Sequence, residues 1–352
     1  MKRNGYIDAI KFLFAIMIAE FHLNSGIFLG GRLAVEGFFM ITGYLMLRSI
    51  ERDRNPADNT GVATVKFILR KFGALFPYLL PSTLLASFVY AKIRKYTLIQ
   101  WLKKLPLLMF DIFPLHNAGF RGEYLVGISW YLSSMFIALA ILYPLCRKFR
   151  DGFVLTVCPL LAFIGYGVLS HFYGNIAVGT GFLNDTVLNT GIIRALAGCS
   201  LGCLICKISD FSAGRSITLS GRIAFTALEL AGFTYYFYAL NAHVRSEYDY
   251  VLTFLMFGLL IIGINGWSFT SYLWNPRWTK PLGVMSTLIV LNHYCYMAYL
   301  RNLYGSGFVN TEKVWLYIPM VAGACVVSYV CSLLLKLLAK QIRKIRFFEN
   351  KE

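Results

Sequence analysis

The chain has 352 residues, 57% of them hydrophobic and 14% charged, with a mean hydropathy of +0.60. Soluble domains carry charge on about a quarter of their residues, so an ordinary water-soluble enzyme is excluded and lipid is expected to be the main solvent. The formal net charge of +17 is scattered over short polar segments rather than gathered on one face, which argues against a nucleic-acid partner.

A membrane-crossing helix needs about 20 mainly apolar residues. Ten segments qualify, at roughly 6–23, 33–50, 67–91, 124–146, 153–172, 188–206, 219–239, 250–266, 281–300 and 314–338. The expected fold is therefore an all-α, polytopic integral membrane protein of about ten transmembrane helices, with one domain over 1–352. The first segment carries its charges early and has no small-residue cleavage site after its apolar run, so it reads as a retained helix rather than a secretory signal. With the N-terminus inside, the inner segments hold 19 of the Lys and Arg residues and the outer loops nine, five of these between 94 and 121. That asymmetry predicts both termini on the cytoplasmic side. The longer interruptions fall at 51–66, 92–123 and 173–187. Within the second, 99–113 is apolar but broken by Lys103, Lys104 and Pro106, which predicts a re-entrant or interfacial piece rather than a span.

Ionisable groups inside a span cost about 2.5–3.5 kcal/mol each at mid-bilayer and mark pathways or active sites. Lys11 and His22 lie eleven residues apart in the first helix, about three turns plus 20°, so both project from one face about 16 Å apart. The plainer reading makes Asp8 and Lys11 an i, i+3 pair and His22 an interfacial residue with a wet tip. Glu36 opens the second helix after a short connection that returns the chain to the depth of His22. A carboxylate beside a histidine orients the ring and raises its basicity; the alternative is an ion pair from Glu36 back to Arg32. Gly43, two turns further on, allows a close helix approach. Glu20 points about 200° away from His22 and is assigned a structural or lesser role.

Further along, Ser286 and His293 share a face of the ninth expected span, with His293 read first as a hydrogen-bonded packing residue and second as a catalyst. Arg194 and Glu229 are also buried in spans; Arg194 cannot discharge itself, so it needs either a bound anion or a structural partner. Cys199, Cys203 and Cys206 fall near one helix face, yet no histidine or carboxylate close in sequence completes a zinc shell. The reading is packing cysteines and no metal.

These residues resemble acyltransferase family three, the polytopic membrane O-acyltransferases that often acetylate cell-envelope sugars. The resemblance rests on Asp8-x-x-Lys11 followed by His22, then on Val35-Glu36-Gly37-Phe38-Phe39-Met40-Ile41-Thr42-Gly43-Tyr44. Looser matches are Ser129-Trp130-Tyr131-Leu132, Arg194 with Gly198 and Gly202, and Gly283-x-x-Ser286 leading to His293. Lys11 stands where the family carries an arginine. Ala74 stands three residues before Pro77 where many members have an arginine, and Met135 where many have a glutamate.

The resemblance implies transfer of an acyl group, usually acetyl from acetyl-CoA, to a hydroxyl of a polysaccharide or lipid-linked sugar outside the cytoplasmic membrane of a bacterium. It implies no tightly bound cofactor, with acetyl-CoA or another acyl-CoA as co-substrate. His22 becomes the general base and Glu36 its acidic partner. Lys11, Arg70 and Lys71 are expected to attract the donor's phosphates, and Trp130, Arg194, Ser286 and His293 to contribute to substrate binding. Aromatic residues of the outer loop, Trp101 and Phe110, suit a sugar face or headgroup anchoring equally. The runner-up function is a secondary transporter or flippase for a sugar or anionic substrate, which predicts inverted repeats; none is visible between the two halves.

Overall fold

The structure is a computed structural model that describes residues 3–52, 59–119, 129–179, 181–183, 186, 188–242, 246 and 248–349. Arg121, Glu123 and the start of the expected span at 124–146 lie outside the described residues. The chain is all-helical, 86% helix, and among the described residues there is one isolated bridge, Phe182 to Asn189, and no strand. Twelve α-helices run in order: α1 Gly5–Leu23, α2 Ala34–Arg52, α3 Thr60–Ile93, α4 Leu98–Lys104, α5 Met109–Ile112, α6 Ser129–Gly152, α7 Cys158–Tyr173, α8 Thr190–Ser212, α9 Leu219–Ala242, α10 Asp249–Asn265, α11 Pro276–Tyr304 and α12 Tyr317–Glu349.

Among the described residues, six helical stretches are long and apolar enough to cross a membrane: Gly31–Arg52, Thr60–Ile93, Ser129–Tyr173, Thr190–Ser212, Leu219–Ala242 and Glu312–Ile342. The 45 residues of Ser129–Tyr173 would extend about 67 Å as one straight helix, roughly twice the hydrocarbon thickness. The chain turns within them at Arg150, whose φ of 49° and ψ of −130° are not helical. A π-turn, Phe153–Val157, then leads into α7. The expected spans at 6–23, 250–266 and 281–300 are helices too, but fall outside the six. α1 carries Asp8, Lys11 and Glu20; α10 has 17 residues; α11 has the polar Asn292 and His293 inside its apolar run.

The chain forms two compact units, where the sequence suggests one domain. The first comprises 1–68, 117–119 and 130–286, the second 69–116, 120–129 and 287–352. In the first unit, side chains at the helix ends supply the missing hydrogen bonds. Asn4 accepts from the Tyr6 N–H at 3.0 Å to start α1, Asn24 ends it in the left-handed region at φ 61°, and Asn189 accepts from Gly191 N–H at 2.8 Å to start α8.

The core of this unit is built on glycines. A Cβ at Gly43 would lie 1.9 Å from the Cys199 carbonyl oxygen, and one at Gly202 would lie 1.9 Å from that of Met40. α2 and α8 thus run backbone against backbone, the small-residue contact that substitutes for a hydrophobic driving force in lipid. α1 locks onto α2 in the same way: Gly37 takes the Phe14 ring, with a Cβ there 2.2 Å from it, and Gly31 meets the Met17 carbonyl oxygen.

In the second unit, α3, α11 and α12 meet along a buried polar seam. Asn292 donates to Ser82 at 3.0 Å, Ser82 to Ser328 at 3.2 Å, and Ser328 to the Asn292 side-chain oxygen at 3.4 Å. The interrupted segment at 99–113 is helical in pieces, α4, a 3-10 turn at Leu105–Leu108 and α5, broken at Pro106 as its composition predicts. It packs back on α3: Trp101 Nε1 donates to Ser87 at 3.2 Å, and Phe113 stacks on Phe72 at 5.6 Å.

Because the Gly43 and Gly202 sites have no room for a methyl group, Gly43→Leu or Gly202→Leu should abolish the monodisperse peak in detergent size-exclusion chromatography. Gly73, with nothing within 4 Å of an added Cβ, is the control. Gly73→Ala should leave the peak intact and raise stability by up to about 1 kcal/mol through helix propensity.

Candidate active site

Glu36 lies in the first turn of α2, 1% exposed. Such a carboxylate stays charged only with a partner and hydrogen bonds, and both are present. Arg194 of α8, 2% exposed, donates from Nε to Oε1 at 2.7 Å and brings Nη2 to 2.6 Å from the same oxygen. Tyr166 of α7 donates its hydroxyl to Oε2 at 2.7 Å. Arg194 also donates from Nη1 to the Val178 carbonyl, and its guanidinium lies over the Trp130 ring of α6 at 5.1 Å. Gly198, one turn beyond Arg194, keeps this ring of contacts tight: a Cβ there would stand 2.6 Å from Phe39 Cβ, 3.2 Å from the Tyr166 hydroxyl and 3.5 Å from Glu36 Oε2. Four helices therefore converge on one buried ion pair.

The ion pair to Arg32 open to Glu36 in the sequence is not the one the chain uses. Arg32, 5% exposed, donates from Nη2 to both oxygens of Asp249 in α10 at 2.9 and 2.8 Å. Two cations and two carboxylates are thus paired crosswise, each with a residue far away in sequence. Tyr236 of α9 is buried beside these groups, its hydroxyl without a hydrogen-bond partner among the described residues. Asn117 closes the group on the α6 side, with Nδ2 donating to Ser134 at 2.6 Å and to the Trp130 carbonyl at 3.2 Å. Sequence reasoning misses Tyr166, Asp249, Tyr236 and Asn117. Tyr166 and Tyr236 sit among apolar helical residues like any packing aromatic, and the role of Asp249 shows only once α10 lies against the start of α2.

The other sequence-predicted residues have varied surroundings. His22 is half-buried in the last turn of α1. The contact of Phe14 with Gly37 fixes the helix pairing, and His22 lies eight residues beyond Phe14, about 12 Å of helix rise. The described hydrogen bonds of Glu36 run to Arg194 and Tyr166. Glu20 accepts from the Ser25 hydroxyl at 2.7 Å, a structural role. Asp8 is held by Arg3, with Gly283 so close that a Cβ there would meet Asp8 Oδ1 at 2.2 Å. Lys11 is half-buried on α1. Ser286 donates to the Gly283 carbonyl at 3.0 Å and belongs to the first unit, whereas His293 belongs to the second. His293 is fully buried, with Nδ1 at 3.0 and 2.9 Å from the carbonyls of Ile289 and Val290, the geometry of a packing histidine bonded to its own helix. Arg70 is exposed and Lys71 half-buried in the second unit. Glu229 accepts from the Thr270 hydroxyl. A cavity of about 730 Å³ in the first unit is lined by Glu51, Arg147, Arg150 and Lys207 among others, and by none of Lys11, Arg70 and Lys71.

Breaking a buried ion pair from one side strands a charge and costs about 3–5 kcal/mol. Arg194→Ala should therefore lower the melting temperature more than Tyr166→Phe, which removes one hydrogen bond to a charged group, about 1.5–3 kcal/mol. The double variant Glu36→Gln/Arg194→Gln should recover part of the Arg194→Ala loss. A detergent-phase thermal melt of the purified variants reads all three.

Compared with known protein families, residues 4–337 match the family described as an acyltransferase domain. The comparisons with curated proteins and with solved structures returned no match.

Proposed function

The chain belongs to this acyltransferase domain family, whose match covers nearly its whole length, and from that premise we propose that it moves an acetyl group from acetyl-CoA to a hydroxyl of an extracytoplasmic polysaccharide or lipid-linked sugar. Membrane acyl transfer is what family and apolar helices together support; the donor, the acceptor and the residue roles are the proposal. Its proposed setting is the cytoplasmic membrane of a bacterium, with both termini inside.

One observation carries the assignment of the base. His22 ends α1, half-buried, and α1 is clamped to α2 by Phe14 against Gly37 and by Met17 against Gly31. An imidazole on a helix end held that firmly has little freedom to lose on meeting a substrate, and its near-neutral ordinary pKa suits proton transfer. In the proposed step, His22 takes the proton of the acceptor hydroxyl as that oxygen attacks the thioester carbonyl. The C–S bond then breaks, and the departing thiolate of CoA is protonated. Glu36, paired to Arg194 and Tyr166, fixes α2, against which α1 and His22 rest. Lys11 is proposed to attract the donor's phosphates as a point charge rather than a bidentate fork, with Arg70 and Lys71 adding positive charge in the second unit. Trp130, held under Arg194, is proposed to line the acceptor path.

His22→Ala should insert and melt like the parent protein yet release CoA from acetyl-CoA, in the presence of glycan acceptor, about 10²–10⁴-fold more slowly. A normally inserted His22→Ala protein that acetylates at the parent rate would overturn the assignment. Comparing envelope glycans from cells with and without the gene by mass spectrometry identifies the acceptor.

A further inference from the structure

Three cysteines that the sequence keeps apart come together inside the first unit. Cys146 near the end of α6, Cys158 at the start of α7 and Cys203 in α8 have Sγ atoms all within 4.8 Å of one another, and none is more than 1% exposed. The spacing in α8 suggests a group of Cys199, Cys203 and Cys206; in the structure Cys203 joins Cys146 and Cys158 from the other two helices. We propose that Cys146, Cys158 and Cys203 form a three-sulfur site for a soft, thiophilic d10 cation of the Cu(I) type.

The geometry favours this over simple packing for four reasons. Three sulfurs held at about 2.3 Å from one ion in a plane are about 4.0 Å apart, so the cluster needs to contract by less than about 1 Å. No histidine or carboxylate is part of the cluster, and an all-sulfur, three-ligand shell selects Cu(I) over the harder divalent ions that want nitrogen, oxygen or a fourth ligand. The residue before Cys158 ends the π-turn Phe153–Val157. Such a turn inserts one extra residue and re-aims the side chains beyond it, and π-turns concentrate at functional sites. Finally, Ser200 of α8 is fully buried and its hydroxyl stands against Cys158, where it would donate a hydrogen bond to a thiolate.

The site also has a way in. Cys146 is on the wall of the 730 Å³ cavity, beside Arg147, Arg150 and Lys207. The acidic groups at that mouth are already paired: Lys207 with Glu51 and Asp151, both at 2.9 Å, and Arg48 with Glu51 and Asp210. Glu51 and Asp210 also stand with Cys206, ligand atoms within 4.8 Å of one another, but that group offers one sulfur where the first offers three. Binding converts the three thiols to thiolates, the metal-ligating form of cysteine. The three protons leave through the cavity, and the resulting charge of minus two faces the cationic wall. No electron is transferred.

The test loads the full-length protein, purified in detergent under anaerobic reducing conditions, with Cu(I) alone, and then desalts it. Elemental analysis should find about one copper retained per chain, and X-ray absorption should find about three sulfurs at about 2.2–2.3 Å. Cys158→Ser and the triple variant Cys146→Ser/Cys158→Ser/Cys203→Ser should retain less than about a tenth of that, while Cys325→Ser/Cys331→Ser should retain all of it. Copper washed off the parent protein, or copper held equally by the triple variant, overturns the proposal. If the triple variant fails to fold, the parent's absorption spectrum decides: a shell dominated by nitrogen or oxygen rejects the site, and a sulfur shell upholds it.

Discussion

A carboxylate sealed in apolar protein has to be answered by a cation, and the answer to Glu36 organises the first unit. Arg194 is 158 residues away in sequence, so the pair can form only when α2 and α8 lie in one register. The same register puts Gly43 on Cys199 and Gly202 on Met40 with no space for a methyl group. Glycines permit the approach but do not choose among the ways two smooth helices can slide; a buried charge does, because each wrong register leaves two ions unpaired at a cost of several kcal/mol. Close packing and ion pair thus specify the same arrangement from different physics.

The start of α2 carries a second such constraint. Arg32 and Glu36 are four residues apart and oppositely charged, which on a surface helix would make a weak local pair. Here each turns away from the other, Arg32 to Asp249 of α10 and Glu36 to Arg194 of α8. A local pair would satisfy both charges while tying down nothing; two crossed pairs pin one helix end to two neighbours. The Tyr236 hydroxyl, itself without a described hydrogen bond, stands in the field of both. That polar core is what allows α1, carrying His22, to rest on a base that does not shift.

How much can be read from the sequence depends on the range of the interactions. Helix positions are legible because apolar length is a local property, and ten described helices of 16 residues or more coincide with the ten expected. The break at Pro106 is legible for the same reason. Pro77 and Pro81 sit inside α3 without ending it, and α6 and α7 are joined through a π-turn that no periodicity announces. The close approach at Gly43 is legible because a glycine two turns from a buried charge already limits what can pack there. Partners are not legible. Glu36 offers His22 and Arg32 as near candidates and takes Arg194 and Tyr166; the α8 cysteines offer one another, and Cys203 joins Cys146 and Cys158.

Support and chemistry are therefore assigned to different layers of the molecule. His22 lies in the last turn of α1, which rests on α2 through Phe14 and Gly37, whereas Glu36 and Arg194 are sealed within the unit and bonded to each other. In the proposed reaction, the ion pairs hold the helices and the helices hold the imidazole. Such an arrangement tolerates Lys11 in place of arginine and Met135 in place of glutamate, because neither change touches the four-helix junction around Glu36. It does not tolerate loss of Arg194, whose absence would release α2 while leaving His22 itself intact.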